Sequence, residues 1–409
     1  MAPGHVDYYL LPIWVFKEST NKEYPVLKKK SRDYKILHLL HDKDKRSRLF
    51  ENLVNGLSSR GFEQIICYLR GSSDIENPLE QQGYPVNNLN QNRLRGFRPG
   101  LVFQLADLIR IYDIDLIHCQ RHKPTVYGTL GALLAGKGCK VISTVHGRRR
   151  TRTLRRRLGN FLFFKRISCI VSVSNAVRED ILKTNLALEP GKVTTVYNGI
   201  DVEHFENKAE FSPFEIRQRL GLPNSHVMVF VTVGRLTRVK GQEYLIEAFE
   251  RVHRKFPNTC LALAGAGPLE GHLKAVSKQL RIENNVRFLG YRTDIPEILH
   301  ACDCFVLPSL SEGHPLSLLE AMAAEKFTIA TRVGGVPEIL DSPEFGFTVH
   351  PASVTHLADA MEKVCKMDKT ALGAYGIKLK KRVENSFTTA KMVSSTAELY
   401  RKIISAQKA

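Results

Sequence analysis

The sequence predicts an α/β protein of two domains in tandem, each built on a doubly wound parallel sheet, the two facing a central cleft. Three observations predict it. At 409 residues the chain is longer than one hydrophobic core ordinarily serves. Short runs rich in valine, isoleucine and leucine alternate with helical stretches, the pattern of strands buried on both faces beneath crossover helices. The alternation pauses once, at Asn198–Asp201 and a polar, proline-containing stretch to Asn224, and then restarts.

Before the pause, strand signals fall at Ile36–His41, Gln64–Leu69, Leu116–His118, Lys140–His146, Cys169–Ser174 and Val193–Tyr197. Helical stretches at Arg48–Arg60, Leu101–Tyr112 and Thr125–Ala135 bridge them. After it, strands are expected at Val227–Val233, Cys260–Ala264, Val286–Leu289, Asp303–Leu307 and Thr328–Thr331. The domains are expected at 34–205 and 206–385, with residues 1–33 as an N-terminal extension and 386–409 as a C-terminal helix. Ligands of open parallel sheets sit beyond the carboxyl ends of the strands, so two such domains face each other across a site.

The composition, 43% apolar and 25% charged, allows sizeable cores. No segment reaches the eighteen or so apolar residues of a membrane span. The nearest, Tyr8–Phe16, is short, broken by Pro12, and preceded by Asp7 where a signal peptide carries positive charge. The eight cysteines are scattered, and Cys302 and Cys304 are too close for a CxxC pair. They are expected as buried free thiols of a cytoplasmic protein, without disulfides or a zinc site.

The net charge of +19 is uneven. Residues 1–205 hold 33 lysines and arginines against 19 acidic residues, and residues 206–409 hold 27 against 22. No acidic residue occurs from Leu116 to Arg178. This imbalance points to an anionic partner: nucleic acid, acidic lipid or a phosphorylated saccharide.

The segment from Pro308 to Ala323 reads as strand, loop and helix, with Pro315 in the helix's first turn. Glu312 lies in the loop, and Glu320 about one and a half turns inside the helix. The unpaired N–H groups near Pro315–Leu318 form an anion site, with Gly313, His314 and Leu316 beside it. Such an arrangement suits a nucleotide sugar: amides hold the diphosphate and carboxylates accept from hydroxyls. By themselves the two carboxylates equally suit a solvated loop and helix face. Upstream, a buried strand ends at Gly234, and Arg235 and Lys240 flank the next helix start, as cations for a diphosphate would. Taken alone, Arg235 also suits an ordinary ion pair. In Ala264-Gly-Ala-Gly-Pro268, Gly265 and Gly267 would let backbone approach a ligand.

These motifs, in this order, resemble those of the retaining, GT-B fold glycosyltransferases of family 4. Gly-Arg-Leu-xxx-Lys-Gly stands at 234–241, Gly-Ala-Gly-Pro at 265–268, Val-Arg-Phe-Leu-Gly-Tyr at 286–291, and the Glu-x7-Glu pair at Glu312 and Glu320. The resemblance covers residues 34–385. It implies that Arg235 and Lys240 bind the diphosphate, Glu312 the transferred sugar, Glu320 the ribose, and backbone near Tyr291 the base. It further implies transfer with retention and without a metal or other cofactor.

The N-terminal half is less similar. Thr144-Val-His-Gly places His146 at a strand end, where family members often carry an active-site histidine, although a lone histidine there is commonly structural. Asn198-Gly-Ile-Asp201 resembles the family's exit from this domain. Where many relatives carry a Gly-Gly loop, this chain reads Asp42-Lys-Asp-Lys-Arg-Ser-Arg48, so Lys45 or Arg46 are expected to replace backbone in anion contact. Directly after His146 come Arg148, Arg149, Arg150, Arg152, Arg155, Arg156 and Arg157. They lead into Leu154, Leu158, Phe161 and Leu162, one helical face, and a basic amphipathic helix of this kind suits an anionic membrane surface. A solvated face over an ordinary core helix is the plainer reading. Nucleic-acid binders interleave exposed aromatics with the basic residues, which this run does not.

The expectation is therefore transfer of a hexose from a UDP- or GDP-sugar to a saccharide or lipid-linked saccharide, in lipopolysaccharide core or cell-surface polysaccharide synthesis. The protein would sit peripherally on the inner face of the cytoplasmic membrane. Two alternatives differ in reaction: an epimerase or phosphorylase of the same fold, and a non-catalytic polyanion-binding scaffold.

Overall fold

The computed structural model describes residues 34–43, 47–72, 77–90, 96–136, 138–147, 165–185, 188–206, 211–223 and 226–406. Residues 34–409 form one compact unit. The expected extension 1–33, the arginine run 148–157, Lys45 and Arg46 all lie outside the described residues.

The N-terminal half runs β1 (Tyr34–Leu40), α1 (Arg48–Ser58), β2 (Phe62–Tyr68), α2 (Pro78–Gln81), β3 (Val86–Asn88), α3 (Gly100–Tyr112), β4 (Leu116–Gln120), α4 (His122–Ala135), β5 (Lys140–Val145), β6 (Cys169–Ser172), α5 (Asn175–Thr184) and β7 (Val193–Thr195). Its strands are all parallel, in the order β3-β2-β1-β4-β5-β6-β7. The C-terminal half runs α6 (Pro213–Arg219), β8 (Met228–Val233), α7 (Gln242–Lys255), β9 (Thr259–Ala264), α8 (Glu270–Gln279), β10 (Val286–Gly290), α9 (Ile295–Ala301), β11 (Cys304–Leu307), α10 (Leu316–Ala323), β12 (Phe327–Thr331), α11 (Val336–Ile339), β13 (Phe347–Val349), α12 (Val354–Cys365) and α13 (Lys369–Ser386). Its order is β10-β9-β8-β11-β12-β13, again parallel. Each sheet reverses its winding once, between β1 and β4 and between β8 and β11, and a crevice opens at each reversal.

The central strands are buried on both faces, which is why their sequences read as unbroken apolar runs. The edge strands β3 and β13 are three residues each and carry too little pattern to be seen in the sequence. The last helix, α14 (Thr389–Ser405), belongs to the N-terminal core. Its Met392, Val393, Ala397 and Tyr400 pack with Ile36, Leu53, Leu57 and Phe62. The chain thus crosses between halves twice, and the crossings are bonded together. Ile200 N donates to Phe387 O at 2.9 Å, and Thr389 N donates to Ile200 O at 2.8 Å. All eight cysteines are free, six of them buried. Among the described residues no helix is long and apolar enough to cross a membrane.

Candidate active site

The strand ends at the two winding reversals open onto one cleft of about 650 Å³. His41 and Asp42 after β1, Gln120 at the end of β4 and His146 after β5 line its N-terminal wall. Gly234, Arg235 and Lys240 after β8, Glu312–Ser317 between β11 and α10, and Glu320 line the other.

The loop after β11 is fixed from several sides. Glu312 Oε1 accepts from Lys240 Nζ and from Ser309 Oγ, each at 2.6 Å. Ser309 O in turn accepts from Thr331 Oγ1 at 2.5 Å. Gly313 is where the two halves touch: a Cβ there would stand 2.3 Å from His146 O. Its carbonyl accepts from Ser174 Oγ at 3.0 Å and Gly335 N at 2.8 Å, and Asn198 Nδ2 donates to His314 O at 2.9 Å.

Pro315 is the N-cap of α10 and not a residue of its first turn. Its ψ of 117° is extended, and helical geometry begins at Leu316. The extended proline carries the chain out of the loop, and its carbonyl accepts the first helical bond, from Leu319. The N–H groups of Leu316, Ser317 and Leu318 are left without intrahelical acceptors, at the positive end of the helix dipole. Glu320 follows at the cleft floor. Burial pushes its carboxyl up to about 7, with Arg48 on α1 pulling the other way.

The remaining predicted residues occupy varied places. Arg235 is exposed on the turn after β8. Gly265 and Gly267 pack against that turn: their Cβ atoms would lie 2.0 Å from Gly234 O and 2.3 Å from Leu236 O. They fix the position of the Arg235 turn. Tyr291, 79% exposed, follows β10 and does not line the cleft. The His314 ring is buried between Tyr197 and Phe387, at centroid distances of 5.2 and 5.1 Å. Neither ring nitrogen finds a partner among the described residues, and burial lowers its pKa to about 3, so the ring is neutral.

On the N-terminal wall, His146 Nε2 lies 2.8 Å from Gln120 Oε1. Asp42, which opens the glycine-free loop, is buried and paired with Arg70 at 2.5 Å. Ser309, Gln120 and Ser174 carry no motif, and nothing in the sequence singles them out. Asn198 is flagged only as part of the interdomain exit. Among the described residues no group of three or more His, Cys, Asp or Glu is placed to hold a metal ion.

Two doubly wound parallel sheets facing a cleft, with the last helix returning to the first half, define the GT-B class of glycosyltransferase fold. A crystal structure of Anabaena HepE in complex with UDP and glucose matches with a TM-score of 0.76 at 20% identity, covering 90% of this chain and 100% of that one. A glycosyltransferase from Rickettsia africae matches with a TM-score of 0.77 at 20% identity, over 91% and 99%. The fold is GT-B. The model of Glycosyltransferase Family 4 matches residues 47–204, and that of Glycosyl transferases group 1 matches residues 214–379. The chain belongs to this family and is a glycosyltransferase. It is 28% identical over 373 residues to the Escherichia coli UDP-Gal:alpha-D-GlcNAc-diphosphoundecaprenol alpha-1,3-galactosyltransferase, covering 85% of this chain and 94% of that protein.

Proposed function

We propose that the enzyme moves a hexose from a UDP- or GDP-sugar to a saccharide or lipid-linked saccharide, with retention and without a metal. One observation carries the reading: Arg235, Lys240 and the amino end of α10 converge on a single cleft, with Glu312 and Glu320 on either side of that helix end. The bond from the anomeric carbon to the diphosphate oxygen breaks as one to the acceptor hydroxyl oxygen forms, the hydroxyl proton leaves with the diphosphate, and charge grows on the leaving group in between. Arg235, Lys240 and the amides of Leu316–Leu318 stabilise that charge. Glu312, held by Lys240 at 2.6 Å, accepts from sugar hydroxyls, while Glu320 accepts from the ribose. His146 faces the sugar from the opposite wall. The likeness of the motif set to retaining enzymes supports retention.

On the acceptor side we propose an anionic, membrane-associated substrate in lipopolysaccharide-core or cell-surface polysaccharide synthesis. The excess of lysine and arginine in the N-terminal half supports it. So does the outer face of α3 and α4, where Phe97, Phe103, Leu133 and Leu134 are exposed around a shallow groove. Arg98 adjoins Phe97 in sequence, and the pKa of Lys123 is lowered first by burial and then by the nearby Arg70 and Arg98. An apolar face edged by cations suits an anionic bilayer. The E. coli relative acts, by its name, on a diphosphoundecaprenol-linked sugar.

A thermal-shift screen with UDP- and GDP-sugars tests the donor. A matched ligand at a hundredfold excess over Kd adds about 2.7 kcal/mol of stability. Glu312→Ala should abolish turnover of that sugar, and unchanged turnover would refute the assignment. NMR of the product's anomeric configuration tests retention, turnover in EDTA tests metal independence, and vesicle sedimentation of Phe103→Asp tests the bilayer face.

A further inference from the structure

A line of hydrogen bonds runs from the C-terminal helix to the cleft. The hydroxyl of Tyr400, buried on α14, lies 2.5 Å from His118 Nδ1 on β4. His118 Nε2 lies 2.6 Å from Thr144 Oγ1 and 3.3 Å from Gln120 Nε2. Gln120 Oε1 reaches His146 Nε2 at 2.8 Å. Four side chains, on α14, β4 and the loop after β5, therefore join residue 400 to the cleft histidine.

The order of protons along this line follows from valence. His118 is enclosed, and burial, with His38 and His146 adding to it, holds its pKa well below the ordinary histidine value. A neutral imidazole offers one N–H and one lone pair. The Gln120 amide donates toward Nε2, as does the Thr144 hydroxyl, so the His118 lone pair is at Nε2 and its proton at Nδ1. That proton is donated to the Tyr400 oxygen. The other end of the Gln120 amide is a carbonyl, which only accepts. His146 must then donate from Nε2, so that in its neutral form the lone pair lies on Nδ1.

We propose that Tyr400, His118 and Gln120 are positioning residues that fix the tautomer and ring orientation of His146. The proposal rests on the reading of His146 as the residue that meets the donor sugar. Which nitrogen carries the proton decides whether a ring nitrogen accepts from a sugar hydroxyl or donates to it. A packing role alone predicts otherwise: Tyr400→Phe, which keeps the ring and loses only the oxygen, would change nothing at His146. The relay also gives α14 a part in the site that its distance in sequence conceals.

The test uses the full chain labelled with [15N]histidine and long-range 15N–1H NMR, with the His146 signals identified through His146→Ala. The wild type should show His146 protonated on Nε2. Gln120→Leu should give mixed tautomers and lower kcat roughly tenfold, with KM changing less than about twofold. Turnover is read with whichever of UDP-glucose, UDP-galactose, UDP-N-acetylglucosamine or GDP-mannose the enzyme uses fastest. Gln120→Glu, whose carboxylate still accepts from Nε2 but cannot donate to His118, should keep the His146 proton on Nε2 while shifting the His118 signals. Tyr400→Phe should shift the His118 signals and loosen the tautomer at His146. Mixed tautomers in the wild type, or an unchanged tautomer and kcat in Gln120→Leu, would overturn the proposal. If His146→Ala abolishes turnover while the relay variants are silent, the relay alone is lost. If His146→Ala turns over normally, the donor-sugar reading of His146 falls and takes the relay's purpose with it.

Discussion

Raising the pH from 6 to 8 should tighten UDP-glucose binding about tenfold through Glu320, if UDP-glucose is the donor class bound. Burial pushes this carboxyl up to about 7. With that value the ionised fraction climbs from about 0.09 at pH 6 to about 0.9 at pH 8. The ribose hydroxyls donate, so the carboxylate is the binding form, and a tenfold gain corresponds to about 1.4 kcal/mol. UDP-glucose is the right ligand because both its phosphates are esterified, whereas a terminal phosphate itself titrates near about 6. Calorimetry at pH 6, 7 and 8 on the wild type and Glu320→Gln separates this residue from others that titrate. An identical slope in both proteins, or a flat profile in the wild type, would refute the reasoning. The stability of the unliganded protein moves the opposite way. A carboxyl raised in the folded state costs nothing while it is protonated in both states, well below about pH 4.5. The cost accrues as pH rises from about 4.5 to about 7, where the unfolded state loses the proton and the folded state keeps it, and is complete above that. Glu320→Gln should therefore raise Tm at pH 8 and leave it nearly unchanged at pH 4. The upper bound on that gain is about 3 kcal/mol, reduced by water that reaches the cleft floor.

Three further outcomes are expected. Lys240→Met removes the cation proposed for the diphosphate and leaves Glu312, among the described residues, with only Ser309 as partner; donor Kd should rise about tenfold to a hundredfold by calorimetry. Gly313→Ala places a methyl 2.3 Å from His146 O, so turnover should collapse and stability fall by about 1–3 kcal/mol on urea titration. Deleting residues 388–409 strips Met392, Val393, Ala397, Tyr400 and Ile404 from the N-terminal core. At about 1.5–3 kcal/mol for each large apolar side chain, that loss rivals the whole stability of a domain, and circular dichroism should show an unfolded N-terminal half.

The fold was legible because its central strands are buried on both faces, so Ile36–His41 or Cys260–Ala264 read as continuous apolar runs. The three-residue strands at Val86 and Phe347 gave no such signal. The donor wall was legible because chemistry there demands particular residue types at close spacing: Glu312, Gly313 and Glu320 within one strand-loop-helix. Ser309 and Ser174 were invisible because a serine hydroxyl can be replaced by many groups, and its value lies in where it points. The roles of Gly265 and Gly267 were legible only in part. The sequence marks a place of close backbone approach, and the structure shows that what approaches is the Arg235 turn. His314 was read as a donor contact from its place in the loop, yet its ring is spent on the packing of Tyr197 and Phe387.

The two walls of the cleft are coupled by more than the double crossing of the chain. The carboxylate of Glu338, on α11 in the C-terminal half, accepts from Asn175 N and Ala176 N at 2.8 Å each and from Tyr197 OH at 2.9 Å. It thereby caps the amino end of α5 in the other half, as a helix dipole favours. Ser174, the N-cap of the same helix, donates to Gly313 O, and Gly313 abuts His146. The loop that carries Glu312 and the strand end that carries His146 are thus held against each other through one helix terminus. Any opening of the cleft that separates them must break the Glu338 and Ser174 bonds together. The glycine at 313 is then explained twice over: it lets the two halves meet, and it puts the carbonyl where the N-cap serine can hold it. A site whose two walls come from different halves of a chain needs such a contact, because no single core orients both.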